Sequence, residues 1–291
     1  MRYQFIEDHR HDFRVTLMCR VLDVSSSGYY AWRKRPSSLR EMANETLLKE
    51  IQAAHEASKG VYGSPRIYHE VKEKVSCSQN RVARLMKKHG IAAKQKRRYK
   101  QTTKANGAHL VAPNLVNREF AAAAPNEKWT TDITYIPTLE GWLYLAVVLD
   151  LFSRRIVGWA MSARMTSDLV LDALHMAIRE RKPAVGLIHH SDRGSQYTGA
   201  PYQELLKSHQ FEVSMSGTGN CYDNAPTESF FGSLKMEWVH HVVYETRAQA
   251  RTDIFFYIEA FYNRQRRHST LGYVSPAAHE AAYYQHQLAL T

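Results

Sequence analysis

The sequence is poor in cysteine: Cys19, Cys77 and Cys221 are its only three in 291 residues, far apart and in no Cys-x-x-Cys pair. That excludes a disulfide framework and a cysteine-based zinc site. Long apolar runs are missing too. The longest, Trp142 to Leu149, spans eight residues and stops at Asp150, well short of the roughly 20 that a membrane helix needs. The charged Met1–Arg14 stretch has no apolar segment of the secretory kind. There is no internal repeat, no low-complexity tract beyond Ala121–Ala124 and no sustained heptad pattern. These absences point to a cytoplasmic protein in a reducing setting, with no membrane partner.

What is present is a globular composition, 44% hydrophobic and 11% aromatic, in a chain long enough for two domains. Its charge is unevenly spread. Residues 1–125 hold 24 Lys+Arg against 11 Asp+Glu, whereas residues 126–291 hold 15 against 17. The whole positive excess belongs to the first part, as in a polyanion-binding module joined to a domain with other work. The densest run, Lys94 to Lys100, contains Lys96, Arg97 and Arg98. Clustered cations bind nucleic acid by displacing counterions from phosphates; a solvated linker is the plainer reading.

The spacing of apolar residues predicts two short helices within Phe13–Trp32, with Ser25-Ser26-Ser27 supplying a cap. Further helices follow over Asn44–Ala57, Pro65–Val75 and Gln79–His89, the last closed by Gly90. In that last helix Val82, Leu85 and Met86 share one face, while Arg81, Arg84, Lys87 and Lys88 occupy the others. Short amphipathic helices ending in a basic one read as a helix-turn-helix fit for a major groove, or as a plain helical bundle. Residues 1–105 are assigned to this basic helical region and 106–125 to a linker.

From Asn126 the texture changes to strands over Trp129–Ile136, Trp142–Leu151, Arg155–Met161, Val185–His189 and Phe211–Met215. Helices are expected over Ser167–Arg181, Pro201–Gln210, Asn224–Val239 and Arg247–Tyr262. Three strands in series, then alternating helix and strand, predict an α/β domain with a mixed five-stranded sheet and helices on both faces. It is assigned to residues 126–275, with 276–291 as a C-terminal tail.

Three acids stand out. Asp132 lies inside an otherwise apolar strand, where a carboxylate is unfavourable unless paired or metal-bound. Asp192 follows directly on a strand, where ligand sites gather in open α/β sheets. Glu228 lies in the first turns of a helix. Magnesium prefers hard oxygen ligands, and two such ions can assist both the attacking and the leaving oxygen of a displacement at phosphorus. Each acid has a plainer reading: a hydrogen-bonded core Asp, a turn Asp beside Gly194, and helix-dipole complementation. Lys235, seven residues after Glu228, returns to nearly the same helix face and suits a DNA phosphate, or is an ordinary surface lysine. Arg264, Arg266 and Arg267 read as a phosphate clamp or as helix-end cations. His190 is a candidate for ordering the site from behind.

The segments Trp129–Tyr135, His190–Gly194, Asp223–Phe231 with Lys235, and Tyr262-Asn263 through Leu271-Gly272-Tyr273 closely resemble the transposases of the IS three family of bacterial insertion sequences. Val24–Tyr30 and Tyr62–Arg66 are similar to the second reading-frame product of that family. The resemblance covers nearly the whole chain. It implies an RNase H-like, retroviral-integrase-like core whose Asp132, Asp192 and Glu228 bind two magnesium or manganese ions. It implies cleavage at element ends, then strand transfer by the freed 3′-hydroxyl, with a branched figure-eight resolving to a circle that is inserted elsewhere. The implied partners are double-stranded DNA (terminal repeats and target), further copies of the chain, and an upstream product carrying another helix-turn-helix and a leucine zipper, as fusion or partner. The implied location is the bacterial nucleoid. A metal-dependent nuclease without strand transfer and a non-catalytic DNA-binding regulator are the alternatives.

Overall fold

Among the first three helices only the third carries a side-chain cap. The computed structural model describes residues 1–36, 38–94, 112–217 and 221–290. Lys96, Arg97 and Arg98, expected at DNA, lie outside the described residues. Helix α1 spans Arg2–Asp8, α2 Val15–Val21 and α3 Ser26–Lys34. The charge-rich α1 gave no helical signal, but its Ile6 joins Met18, Cys19 and Tyr29 in a small core. The expected serine cap is Ser25, whose Oγ accepts the Gly28 N–H at 2.9 Å.

Helix α4 covers Leu39–Ala57, five residues earlier than expected. The Ser38 hydroxyl accepts the Glu41 N–H while the Glu41 carboxylate accepts the Ser38 N–H, a reciprocal cap absent from the apolar pattern. Helix α5 is Ser64–Val71 and α6 is Gln79–Lys88. Ser78 caps α6 and Gly90 follows it at φ +66°. Here α6 buries Val82, Leu85 and Met86 and exposes Arg84, Lys87 and Lys88. Arg81 is half-buried, and its Nε donates to the Asn44 Oδ1 at 2.9 Å.

The strands are β1 Lys128–Thr138, β2 Gly141–Asp150, β3 Ile156–Ser162, β4 Ile188–Ser191 and β5 Glu212–Met215, in sheet order β3-β2-β1-β4-β5. The first three are antiparallel neighbours, and β4 and β5 run parallel to β1. Alternation along β2 divides its side chains between two cores. Leu145, Val147 and Leu149 face the helical domain side, whereas Ala146 and Val148 face α7, Ser167–Arg181. At Gly158 of β3 a Cβ would overlap the Ala173 carbonyl oxygen, so only glycine lets α7 lie this close. Helices α8 (Ser195–Thr198) and α9 (Ala200–Ser208) cover the same face. The opposite face carries α10 (Ala225–Glu237) and α11 (Arg247–Phe256), the latter prolonged by π-helical turns over Tyr257–Tyr262.

The expected division of the chain needs three corrections. Helices α4–α6 share one continuous core with the sheet and α10–α11, so residues 1–105 are not a single unit: only α1–α3 have a core of their own. From residue 112 the expected linker packs on the sheet, with Val116 buried and the Leu115 N–H donating to the Ser214 Oγ. Residues 276–291 are no tail. Pro276–Leu290 form α12, whose Glu280 is 3% exposed and accepts hydrogen bonds from Arg181, Arg155 and Ser153. The alternating apolar pattern of that segment is weak; what holds it is charge pairing to distant residues. No described helix is long and apolar enough to cross a membrane.

Candidate active site

The strand period decides which acids share a face. On β1, Trp129 and Thr131 point to the α7–α9 side, so Thr130 and Asp132 point to the α10 side. The β1–β4 register pairs Thr130 with His190, and two residues further along each strand stand Asp132 and Asp192. Helix α10 lies on that same face, fixed at its start by two bonds to β1. The Thr227 and Thr130 hydroxyls are 2.7 Å apart, and the Asn224 Nδ2 donates to the Thr131 carbonyl at 3.0 Å. Glu228 is the next residue after Thr227.

The electrostatics report the same convergence. Asp132 is half-buried, and its carboxyl is pushed up to about 7, first by burial, then by the Asp192 charge, with Glu228 adding to it. The Ile133 N–H, 2.7 Å from the Asp132 Oδ1, and Lys235 act against that rise. Burial raises Asp192 too, opposed by the Gly194 N–H that donates to its Oδ1 at 2.9 Å. Burial likewise raises Glu228, and it lowers Lys235, whose cation is stabilised by Asp132. Carboxyls held near one another with raised pKa values resist joint ionisation, and a divalent cation relieves that repulsion. The donor set, hard carboxylate oxygens from a strand, a strand end and a helix, fits magnesium or manganese. As the side chains stand, no three described His, Cys, Asp or Glu residues are gathered tightly enough to hold an ion.

Other expected site residues fall differently. Lys235 is half-buried, with its Nζ 4.7 Å from the centre of the Tyr135 ring. Arg264 is exposed. Arg266, expected at phosphate, is 4% exposed and gives its guanidinium to the Glu237 carboxylate and the Ser233 hydroxyl. Arg267 is committed to Glu70 of α5 and to the Tyr273 carbonyl. Both expectations are corrected: these cations pair inside the protein, because their partners come from elements the local sequence does not reveal. Asn263, in the same motif, bonds both the N–H and the carbonyl of Ile156 at the start of β3. His190 bonds Ser214 and Ser216, tying β4 to β5 and the residues that follow it, and burial holds its pKa at about 4.

Sequence reasoning passed over several supports. Asp223 is buried and accepts from Asn114, Gly217 and Arg118, bracing the start of α10. Arg66 of α5 stands 3.5 Å from Glu237 at the far end of α10, and the Lys94 Nζ donates to the Glu237 carbonyl at 3.4 Å. Asp223 and Arg66 lie in the quoted motifs and Lys94 opens the basic run, whereas Glu237 carries no signal in the sequence.

The chain matches the integrase core domain family over residues 122–221, a second integrase core domain description over 228–283, and an HTH-like domain over 42–99. It is 44% identical over 283 residues to the transposase InsF for insertion sequence IS3A of Escherichia coli (strain K12), covering 96% of this chain and 98% of that one. It is 48% identical over 269 residues to the insertion element IS600 uncharacterized 31 kDa protein of Shigella sonnei, covering 92% and 99%. Among solved structures, the simian T-cell lymphotropic virus intasome in complex with PP2A regulatory subunit B56 gamma aligns at TM-score 0.46 and 15% identity, over 79% of this chain and 74% of that one. The HTLV-2 integrase catalytic core domain in complex with magnesium aligns at TM-score 0.42 and 16% identity, over 54% and 98%.

Proposed function

Because the chain belongs to the IS3 family of insertion-sequence transposases, we propose that it cuts and joins DNA at element ends with Asp132, Asp192 and Glu228 as its metal-binding acids. The observation that carries this reading is the Asp132 carboxyl, placed on the α10 face of the central strand and raised to about 7 by burial and by the charge of Asp192. Magnesium or manganese ions held by these carboxylates, two of them in this reading, supply positive charge to the attacking and leaving oxygens.

The residues divide the work. Asp132 on β1 and Asp192, the residue directly after the neighbouring parallel β4, fix the site at the sheet, and Glu228 closes it from α10. Lys235 holds a phosphate oxygen of the bound strand beside them. In the first step a water oxygen bonds to phosphorus and the bond to the 3′ oxygen breaks, leaving a 3′-hydroxyl and a 5′-phosphate. In the second that hydroxyl bonds to another phosphodiester and displaces its 3′ oxygen. Exposed Arg84, Lys87 and Lys88 on α6, with half-buried Arg81, grip the DNA backbone, as does Arg264; Lys96, Arg97 and Arg98 add to the same charge. Double-stranded element ends and target DNA are the substrates. Bringing two ends together calls for more than one copy of the chain, acting alone or with the upstream reading-frame product. The site of action is the bacterial nucleoid.

The test is incubation with labelled element-end duplexes and magnesium. Joined products from the wild-type chain, absent with Asp132→Asn, support transposition. Nicked products alone would favour a nuclease, and metal-independent binding without cleavage a regulator.

A further inference from the structure

We propose that Tyr135 and Trp142, on the hairpin of β1 and β2, form a stacking platform for a nucleobase of the DNA strand whose phosphate lies at the acid site. The proposal rests on the transposase reading above and adds a binding subsite to it. The two side chains are 52% and 49% exposed, so their ring faces are open to a ligand. Their rings are 4.9 Å apart and nearly perpendicular, at 77°. Strand β1 pairs with β4 over Lys128–Thr130; beyond Thr130, among the described residues, no strand pairs with it on that side, and the hairpin stands open beside the site.

Lys235 links the two places. Its Nζ is 4.7 Å from the centre of the Tyr135 ring, and the same ammonium is stabilised by the Asp132 carboxylate. By the strand period Tyr135 and Trp142 belong to the face opposite Asp132, and the Lys235 contact with the Tyr135 ring bridges the two, so a phosphate held by Lys235 has an aromatic surface within about one nucleotide's reach. Protein grooves that track single strands combine cations for the backbone with aromatic faces for the bases. The platform is also stiff. The Arg247 Nε donates to the Trp142 carbonyl at 3.0 Å, its N–H donates to the Glu140 Oε2 at 2.8 Å, and the Leu139 N–H donates to the Tyr244 carbonyl at 2.9 Å. A surface fixed before the ligand arrives loses little entropy on binding.

Stacking tolerates any base, so the experiment does not depend on knowing the terminal sequence. The full chain is titrated, at fixed salt and without divalent metal, with duplexes that end in a short single strand, either intact or with its bases replaced by abasic positions. Wild-type binding is expected to weaken roughly tenfold when the stacked base is removed. Trp142→Ala should weaken binding to the intact DNA by a similar factor and become indifferent to base removal, while Trp142→Phe keeps most of the affinity. Tyr135→Ala should behave like Trp142→Ala. Wild-type binding that ignores the bases, or losses from Trp142→Ala and base removal that simply multiply, overturns the platform. Joining by the wild type and by Asp132→Asn on the same duplexes, with magnesium, reports separately on the transposase reading.

Discussion

The Thr130 and Thr227 hydroxyls lie 2.7 Å apart in the buried seam between β1 and α10. The strand that carries Asp132 and the helix that carries Glu228 thus meet through a hydrogen bond two residues from one acid and one residue from the other. Thr227→Val strands the Thr130 hydroxyl without its partner, which costs about 1–3 kcal/mol for a buried polar group. The double variant Thr130→Val/Thr227→Val removes both and should recover part of that loss. Urea unfolding of the single and double variants checks it; equal and additive losses would contradict a direct bond.

Neutralising any one of the three acids should abolish joining while leaving DNA binding intact or slightly tighter, because a negative charge leaves the face that meets phosphate. Asp132→Asn, Asp192→Asn and Glu228→Gln are expected to reduce product formation by at least about 10²-fold, as for loss of a group acting on the transition state. Magnesium should raise the melting temperature of the wild type, and the same variants should blunt that rise. Magnesium stabilisation that survives in Asp132→Asn would place the ion elsewhere.

Stability should fall in mild acid. Burial holds His189, His190 and His268 neutral, with pKa values of about 3, 4 and 3 against an ordinary 6.5. The unfolded chain takes up protons below about pH 6.5 that the folded chain refuses, so stability is full above that pH and is lost as pH falls towards 4. Asp132 works in the opposite sense: raised from 3.8 to about 7, it contributes stability at low pH that is lost as pH rises through 7. Asp150, Asp192 and Glu228, raised by burial, act in the same sense as Asp132; the three histidines, held far below 6.5, set the expected rise of unfolding free energy from pH 4.5 to 6.5. His268→Gln should flatten that rise, Asp132→Asn should steepen it; a profile unmoved by His268→Gln removes the explanation.

The ion pairs that replaced the expected phosphate clamp carry a stability prediction. Glu237→Gln leaves the Arg266 guanidinium buried without its countercharge and should cost about 3–5 kcal/mol. Arg66→Ala, at a more exposed partner of the same carboxylate, should cost much less. Removing residues 276–291 should likewise destabilise the core, since it strips Glu280 from Arg181.

On α6, changing Arg84, Lys87 and Lys88 together to alanine should weaken DNA binding and flatten its salt dependence, the slope falling by about 0.9 for each phosphate no longer neutralised. Thermal stability should stay near that of the wild type, because these side chains are exposed.

By itself the sequence determined the period-2 strands and the amphipathic α6 with its basic exposed face, and it singled out three acids as candidates without excluding plainer roles for each. Local rules suffice there, since side-chain alternation, caps and apolar spacing act over a few residues. Tertiary structure alone decided which charges face solvent. Arg267 meets Glu70 across 197 residues of sequence and Arg266 meets Glu237 across 29. Arginine at a helix end reads the same whether its partner is a phosphate or a buried carboxylate. The fold also decided that Glu280 anchors a helix where a tail was expected, and that Lys235 joins Asp132 to an exposed aromatic hairpin. Such long-range pairings are settled by the desolvation of charge, which depends on what surrounds a side chain in space and not on its neighbours along the chain.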